Sequence, residues 1–281
     1  MKRFEKVAII GVGLLGGSLG LAIKEKKLAR RVVGYFRHKE KIKTAVRRGV
    51  IDEGTDHFSS AVSGADFIIL CTPIYDIIGK LKQLKRSKQN KILITDVGST
   101  KAEIVKAARG LSFVGSHPLA GSEQSGIAFA KSDLFKATLC LLTPCASTPS
   151  RSTKRVAQFW RRLGAKVSFM DAEKHDRIVA CVSHLPHAIA FSLTNGVPTD
   201  MTRFAARAFK DMTRIAVSPV NVWMDIFLSN KKQTLKSMAE FEKSFLTLKA
   251  ALAHNDIRAL SSFLKRAGNI RRRIPINSCC A

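Results

Sequence analysis

Three groups of residues have types and spacings suited to chemistry. Residues 115–126 read GSHPLAGSEQSG, in which His117 and Glu123 sit among three glycines and a proline, with Leu119 the one large apolar side chain. That is too polar for a core strand and too rich in glycine for a helix, so the stretch reads as a loop carrying a histidine able to accept a proton. The second group is GVGLLGG, which places Gly11-x-Gly13-x-x-Gly16 after an apolar run and before a helical one. In that setting Gly11 permits a tight turn, Gly13 lets the backbone approach a pyrophosphate and Gly16 lets helix pack on strand. The first helical turn, with Leu14 and Leu15, offers unpaired N–H groups to the phosphates. The third group lies downstream: His175, His184 and His187 in HDRIVACVSHLPHAIAFSL, then Asp211, Arg214 and Trp223 in FKDMTRIAVSPVNVWMDIF. His184 and His187 share a helical face unless Pro186 breaks the turn. An arginine among apolar residues is costly to bury unless paired or facing an anion.

These groups need elements to hold them. Strand-like runs at KVAIIGVG, RVVGYF, ADFIILCTP, KILITDVG and LSFVGSH alternate with helical runs, one of them closed by Gly49 and another, STKAEIVKAARG, with Ser99 or Thr100 as its N-cap. The alternation predicts an α/β, Rossmann-type parallel sheet with helices on both faces. Two more strands follow, at ATLCLLTP and AKVSFM. From Asp171 onward only helical periodicity remains, over 172–196, 200–216, 219–230, 231–254 and 256–269. The expected organisation is a dinucleotide-binding domain over 1–170 and an all-helical domain over 171–281. A dinucleotide on the C-terminal edge of such a sheet brings the loops after the third, fourth and fifth strands to the nicotinamide. Those loops carry Cys71, Thr72 and Pro73, then Ser99, then His117. His117 is thereby placed to take a proton from a substrate hydroxyl while hydride leaves.

The second strand ends GYFRHKEK, with no acid near Phe36 to hold a ribose diol and with Arg37, His38 and Lys39 following. A basic cluster there suits a 2′-phosphate, so NADP is slightly favoured over NAD. Gly16-Gly17-Ser18-Leu19-Gly20 is formally G-x-S-x-G, but Ser18 falls inside the helix and not at the turn, against a hydrolase elbow.

Composition bounds the rest. The 281 residues are 46% hydrophobic and 25% charged, as in a globular protein with a sizeable core. The net charge of +27 is spread along the chain, with Arg271-Arg272-Arg273 the one tight cluster. A generally basic proteome is the favoured reading of that charge, with long-range attraction of an anionic substrate as the alternative, and nucleic acid is not expected because no binding motif accompanies it. The six cysteines form no C-x-x-C pair and no zinc spacing, so no metal is expected and the compartment reads as cytoplasmic, with an oxidation-prone Cys279-Cys280 tail. The N-terminus is interrupted by glycines and lacks a cleavage site, and no run is long enough to span a bilayer, so no membrane partner is expected.

Together GVGLLGGSLGLAI, DVGSTK, GSHPLAGSEQSG, SHLPH and FKDMTRIA…P…W.DI…N, in this order, resemble the prephenate dehydrogenase (cyclohexadienyl/arogenate dehydrogenase) family over about residues 5–245. The resemblance implies NAD(P)-dependent oxidative decarboxylation of prephenate to 4-hydroxyphenylpyruvate, on the way to tyrosine, by a homodimer built through the helical domain. It implies that His117 polarises the ring hydroxyl and that Ser99 orients His117 or the nicotinamide. Arg214 would bind the ring carboxylate, His187 and Trp223 would line the side-chain pocket, and Glu123 and Asp211 would form an ionic network around Arg214. One departure is Ala206-Arg207-Ala208-Phe209 where the family often has a glycine run, which bears on prephenate against arogenate. No chorismate-mutase domain is expected before residue 5 and no regulatory domain after 270. The rivals are another small-acid dehydrogenase with a helical second domain, which would rely on a helical-domain lysine, and a basic nucleic-acid-binding or sensor protein that merely holds a dinucleotide.

Overall fold

The structure is a computed structural model that describes residues 2–87, 92–120, 124, 126–145 and 148–274. Eight strands form one sheet: β1 (Phe4–Ile10), β2 (Ala29–Tyr35), β3 (Glu53–Thr55), β4 (Phe67–Leu70), β5 (Leu93–Asp96), β6 (Phe113–Pro118), β7 (Leu139–Pro144) and β8 (Lys166–Phe169), in the order β3-β2-β1-β4-β5-β6-β7-β8. Interleaved with them are α1 (Leu14–Glu25), α2 (Glu40–Arg47), α3 (Phe58–Val62), α4 (Ile74–Arg86), α5 (Ala102–Ala108) and α6 (Ser150–Arg162). The helical part follows with α7 (Ala172–Val179), α8 (Leu185–Asn195), α9 (Arg207–Thr213), α10 (Val220–Ser229), α11 (Lys231–Ala253) and α12 (Ile257–Arg273).

Alternation within each strand makes two cores. Val7 and Ile9 of β1 face one layer, joined by Leu19 and Ile23 of α1 and by Phe159 and Trp160 of α6. Ala8 and Ile10 face the other, joined by Ile77 and Leu81 of α4 and Ile104 of α5. Phe4, Phe67 and Phe159 are fully buried, and the first two stack at 4.6 Å between centroids. Each such side chain contributes about 1.5–3 kcal/mol of burial. The second core also takes in Trp223 and Ile226 of α10, so the helical part packs directly on the sheet layer.

The α/β class is as expected, but the sheet is not purely parallel. β7 pairs antiparallel with β6, and β8 runs parallel to β7. Only 3₁₀ and turn structure separates β6 from β7 among the described residues of that connection, so β7 returns alongside its neighbour without the crossover helix a parallel step needs. Short β3 and α3 had no periodic signal of their own. His117 lies inside β6 and not in a loop, paired in register with Leu141.

Two helical expectations are corrected as well. The run 200–216 is broken into a 3₁₀ segment Thr199–Phe204, α9 and a second 3₁₀ segment Arg214–Val217. Residues 172–195 do form one continuous helix, but with a π-turn over Ala180–His184. Pro186 lacks an N–H for the carbonyl four residues back, and the turn just before it widens instead of breaking. That helix meets the length and mean hydropathy of a membrane span, although no uninterrupted apolar run does. Its first half carries Glu173, Lys174, His175, Asp176 and Arg177.

Candidate active site

The glycine turn is shaped for a phosphate chain. Gly11 has φ +96°, and a Cβ there would lie 2.7 Å from Thr72 Cγ2. A Cβ on Gly16 would lie 2.0 Å from the Gly11 carbonyl oxygen, so helix and strand touch through bare backbone. A Cβ on Gly13 would meet nothing within 4 Å, which leaves room where a pyrophosphate must come close. No acid sits in the first turn of α1, whose leading residues Leu14 and Leu15 are half-buried. Opposite the turn, the Cys71-Thr72-Pro73 loop enters α4, and Thr72 Oγ1 is buried with no hydrogen-bond partner among the described residues. A buried hydroxyl left without a partner in the loop beside the glycine turn fits a bound polar group. Arg37, His38 and Lys39 are exposed just past the end of β2, while Phe36 is buried. Ser18 is spoken for structurally, since its Oγ accepts from Lys131 N at 3.0 Å.

His117 stands at the C-terminal end of β6, half-buried, and its ring partner is another histidine. His117 Nδ1 lies 2.8 Å from His175 Nε2, and His175 Nδ1 lies 2.7 Å from Asp176 Oδ1. These contacts fix the tautomers. An ionised carboxylate only accepts, so His175 Nδ1 carries a proton and donates it to Asp176. Neutral His175 Nε2 then accepts, His117 Nδ1 donates, and His117 Nε2 keeps a free lone pair. The chain therefore leaves the outer nitrogen of His117 as a base. Burial pushes His117 well below the ordinary histidine range, reinforced by His175, Lys101 and His184. His175 is also pushed down by burial, against the opposing pull of Asp176.

Asp176 has a second duty. Its carboxylate accepts from Lys101 N at 2.7 Å and Ala102 N at 2.9 Å, capping α5 from the helical part of the molecule. Neither Ser99 nor Thr100 caps that helix. Thr100 Oγ1 instead meets Ser229 Oγ at 2.9 Å, Ser99 is half-buried, and the His117 ring is held by His175. Beneath the site, Trp160 Nε1 donates to Ser116 Oγ, Ser116 to Thr95 Oγ1, and Thr95 to the Val114 carbonyl, at 3.0, 2.6 and 2.7 Å.

The second wall of the site is aromatic. His187 stacks on Trp223 with centroids 3.6 Å apart, and its Nδ1 donates to Ser183 O at 2.9 Å, leaving Nε2 as an acceptor. Buried His184 lies edge-on to the same indole and is lowered to about 4 by burial. Burial pushes His187 below the ordinary histidine range, against the hydrogen bond to Ser183, and the charge of Arg214 adds to the lowering. Arg214 itself is exposed on its 3₁₀ turn and not enclosed among apolar residues. Asp211 pairs with Arg207 at 3.5 Å, both largely exposed. Glu123 lies outside the described residues. Among the described residues no cluster of histidine, cysteine and carboxylate could hold a metal.

Sequence reasoning noticed His175 but gave it no role, and it passed over Asp176 entirely. The adjacent pair His175-Asp176 was the available signal, but its partners lie 58 and 75 residues away in the chain.

Known proteins match both halves of the chain. A model of the prephenate dehydrogenase nucleotide-binding domain matches residues 19–169, and one of the prephenate dehydrogenase dimerization domain matches 171–266. Prephenate dehydrogenase of Bacillus subtilis is 34% identical over 97% of this chain and 76% of its own. Cyclohexadienyl dehydrogenase of Zymomonas mobilis is 31% identical over 96% of each. The crystal structure of Aquifex aeolicus prephenate dehydrogenase with hydroxyphenyl propionate and NAD⁺ superposes with a TM-score of 0.92 at 33% identity, covering 98% of this chain and 99% of that one. With both halves matched in order, the chain belongs to the prephenate dehydrogenase family and is an oxidoreductase that uses a nicotinamide dinucleotide.

Proposed function

We propose that the chain oxidises and decarboxylates prephenate to 4-hydroxyphenylpyruvate, in tyrosine biosynthesis, with His117 as the base. The observation that carries the residue assignment is the His117–His175–Asp176 chain, which leaves His117 Nε2 unprotonated at the C-terminal edge of the sheet. Prephenate offers a ring hydroxyl, a ring carboxylate and a pyruvyl carboxylate. The glycine turn and the Cys71-Thr72-Pro73 loop would hold the cofactor, which when bound supplies the hydride acceptor. His117 Nε2 takes the hydroxyl proton as hydride leaves the same carbon. The bond to the ring carboxylate then breaks, carbon dioxide departs, and its electron pair completes the aromatic ring. His117 returns the proton to the phenolate oxygen, so one prephenate and one oxidised cofactor give one product, one carbon dioxide and one reduced cofactor.

Arg214 holds the ring carboxylate and the His187–Trp223 stack receives the pyruvyl arm, with Ser99 beside the nicotinamide. Arg207, engaged with Asp211 at the start of α9, bears on the choice between prephenate and arogenate. Exposed Arg37 and Lys39 pair with a 2′-phosphate, so NADP⁺ serves at least as well as NAD⁺. The exposed apolar side chains of the helical part, such as Val182, Phe204, Phe245 and Leu264, support a homodimer through those helices, which sedimentation at micromolar concentration checks. Among the described residues Cys71, Cys140 and Cys181 are thiols, which supports the reading of a cytoplasmic enzyme.

Mixing the protein with prephenate and either cofactor tests the reading. Reduced cofactor and carbon dioxide should appear in equal amounts. Arg37→Ala should lower kcat/KM for NADP⁺ and leave NAD⁺ alone. No reduced cofactor with prephenate, alongside turnover of arogenate, would move the substrate assignment to the amino analogue.

A further inference from the structure

Lys101 is fully buried, and so is its partner Asp96. The ammonium of Lys101 pairs with Asp96 Oδ2. The same carboxylate accepts from Gly98 N at 2.9 Å and, through Oδ1, from Ser116 N at 2.9 Å. Ser116 immediately precedes His117, so Asp96 sets the backbone from which the imidazole projects. The Lys101 backbone N–H, meanwhile, donates to Asp176 at 2.7 Å, and Asp176 sets the ring through His175. A closed circuit results: Asp96, the Lys101 side chain, the Lys101 backbone, Asp176, His175, His117, Ser116 and back to Asp96. A Cβ on Gly115 would lie 3.3 Å from Lys101 Cδ, so the lysine stem crosses β6 two residues before the base.

We propose that Lys101 is a positioning residue for the His117 base, because it joins the arm that sets the His117 backbone to the arm that sets its ring. This rests on His117 being the base. Placement is half of the role and charge is the other half. The groups around His117 are Lys101 at the start of α5, His175 and Asp176 on α7, His184 in the π-turn, Asp96 on β5 and the Cys140 thiol on β7, which burial keeps protonated. Lys101 is the fixed cation in this set, and its charge opposes a second proton on His117. Asp96 neutralises the ammonium for burial.

The test is kcat and kcat/KM against pH, with prephenate, for Lys101→Met and for Asp96→Asn/Lys101→Met. The double variant removes both charges together, so it keeps the fold where the single variant leaves a buried carboxylate unpaired. With the circuit opened, kcat should fall by about tenfold or more, the size of losing one well-placed hydrogen bond. Cofactor KM should hold, and the acid limb of kcat/KM should move up by about one pH unit. Lys101→Arg, which keeps the cation, should return the limb to its wild-type position. Folded Met variants with wild-type kcat and an unmoved limb would overturn the proposal, and so would a lowered melting temperature with an unmoved limb, which marks mere scaffolding. The underlying assignment fails separately: a His117→Asn variant that stays active removes the base, whatever Lys101 does.

Discussion

The two walls of the site are built on opposite plans. On the sheet side, Asp96, Lys101, Asp176 and His175 are buried, and nearly every polar atom there has a named partner. On the far side, the segment from Thr199 to Val217 is a pair of short 3₁₀ turns around one seven-residue helix, with Arg207, Asp211, Arg214 and Val217 all exposed. One wall is complete within a single chain. The other presents charge and apolar surface together, as a substrate-gathering wall beside a subunit interface would. Chemistry that moves a proton needs a fixed, desolvated base, whereas capture of a dianion needs reachable cations. The contrast assigns kcat to the buried wall and KM to the exposed one.

Substitutions on each wall break or sharpen that division. The largest effect belongs to His117→Ala, which should lower kcat by about 10²–10⁴-fold, the range for loss of a positioned proton acceptor, and leave cofactor binding nearly intact. Steady-state kinetics with a separate cofactor titration measures both. A variant keeping more than half of wild-type kcat sinks the role of His117. Next comes Arg214→Gln. A charge-assisted hydrogen bond contributes about 1.5–3 kcal/mol, so prephenate KM should rise by roughly 10- to 150-fold with kcat little changed. An unchanged KM in a folded variant would hand the ring carboxylate to another residue, with exposed Arg207 the first candidate. His175→Ala should act on kcat alone, by about tenfold, because one hydrogen bond to the base is lost while the base remains. A KM effect larger than the kcat effect would erase the distinction between the walls.

Much of this was legible in the chain because the signals are local. Gly11-x-Gly13-x-x-Gly16 needs only a strand before it and a helix after it, and the continuous apolar run Val7–Ile10 is that of a strand buried on both faces. His117 could be placed because it ends the fifth strand of an alternating pattern. What could not be read depends on distant partners. The cap of α5 comes from Asp176, across 75 residues, where local rules pointed to Ser99 or Thr100. The antiparallel turn of β7 depends on the connection from β6, whose glycines gave no direction. The break-up of 200–216 follows from surface packing, since this stretch buries no side chain and so had no core to enforce its helical period.

A base in this role must be neutral in the free enzyme, and burial, followed by His175, Lys101 and His184, pushes His117 well below the ordinary histidine range. An unperturbed histidine would put the acid limb of activity near 6.5. With His117 pushed well below that value, full activity should persist as pH falls through about 6.5 and be lost only at lower pH. The direct measurement is kcat/KM for prephenate against pH in wild type and in His117→Asn. The expected result is a wild-type acid limb below about 6.5 that is absent from the residual activity of the variant. The same limb in both proteins, at the same pH, would contradict the assignment of His117 as the base.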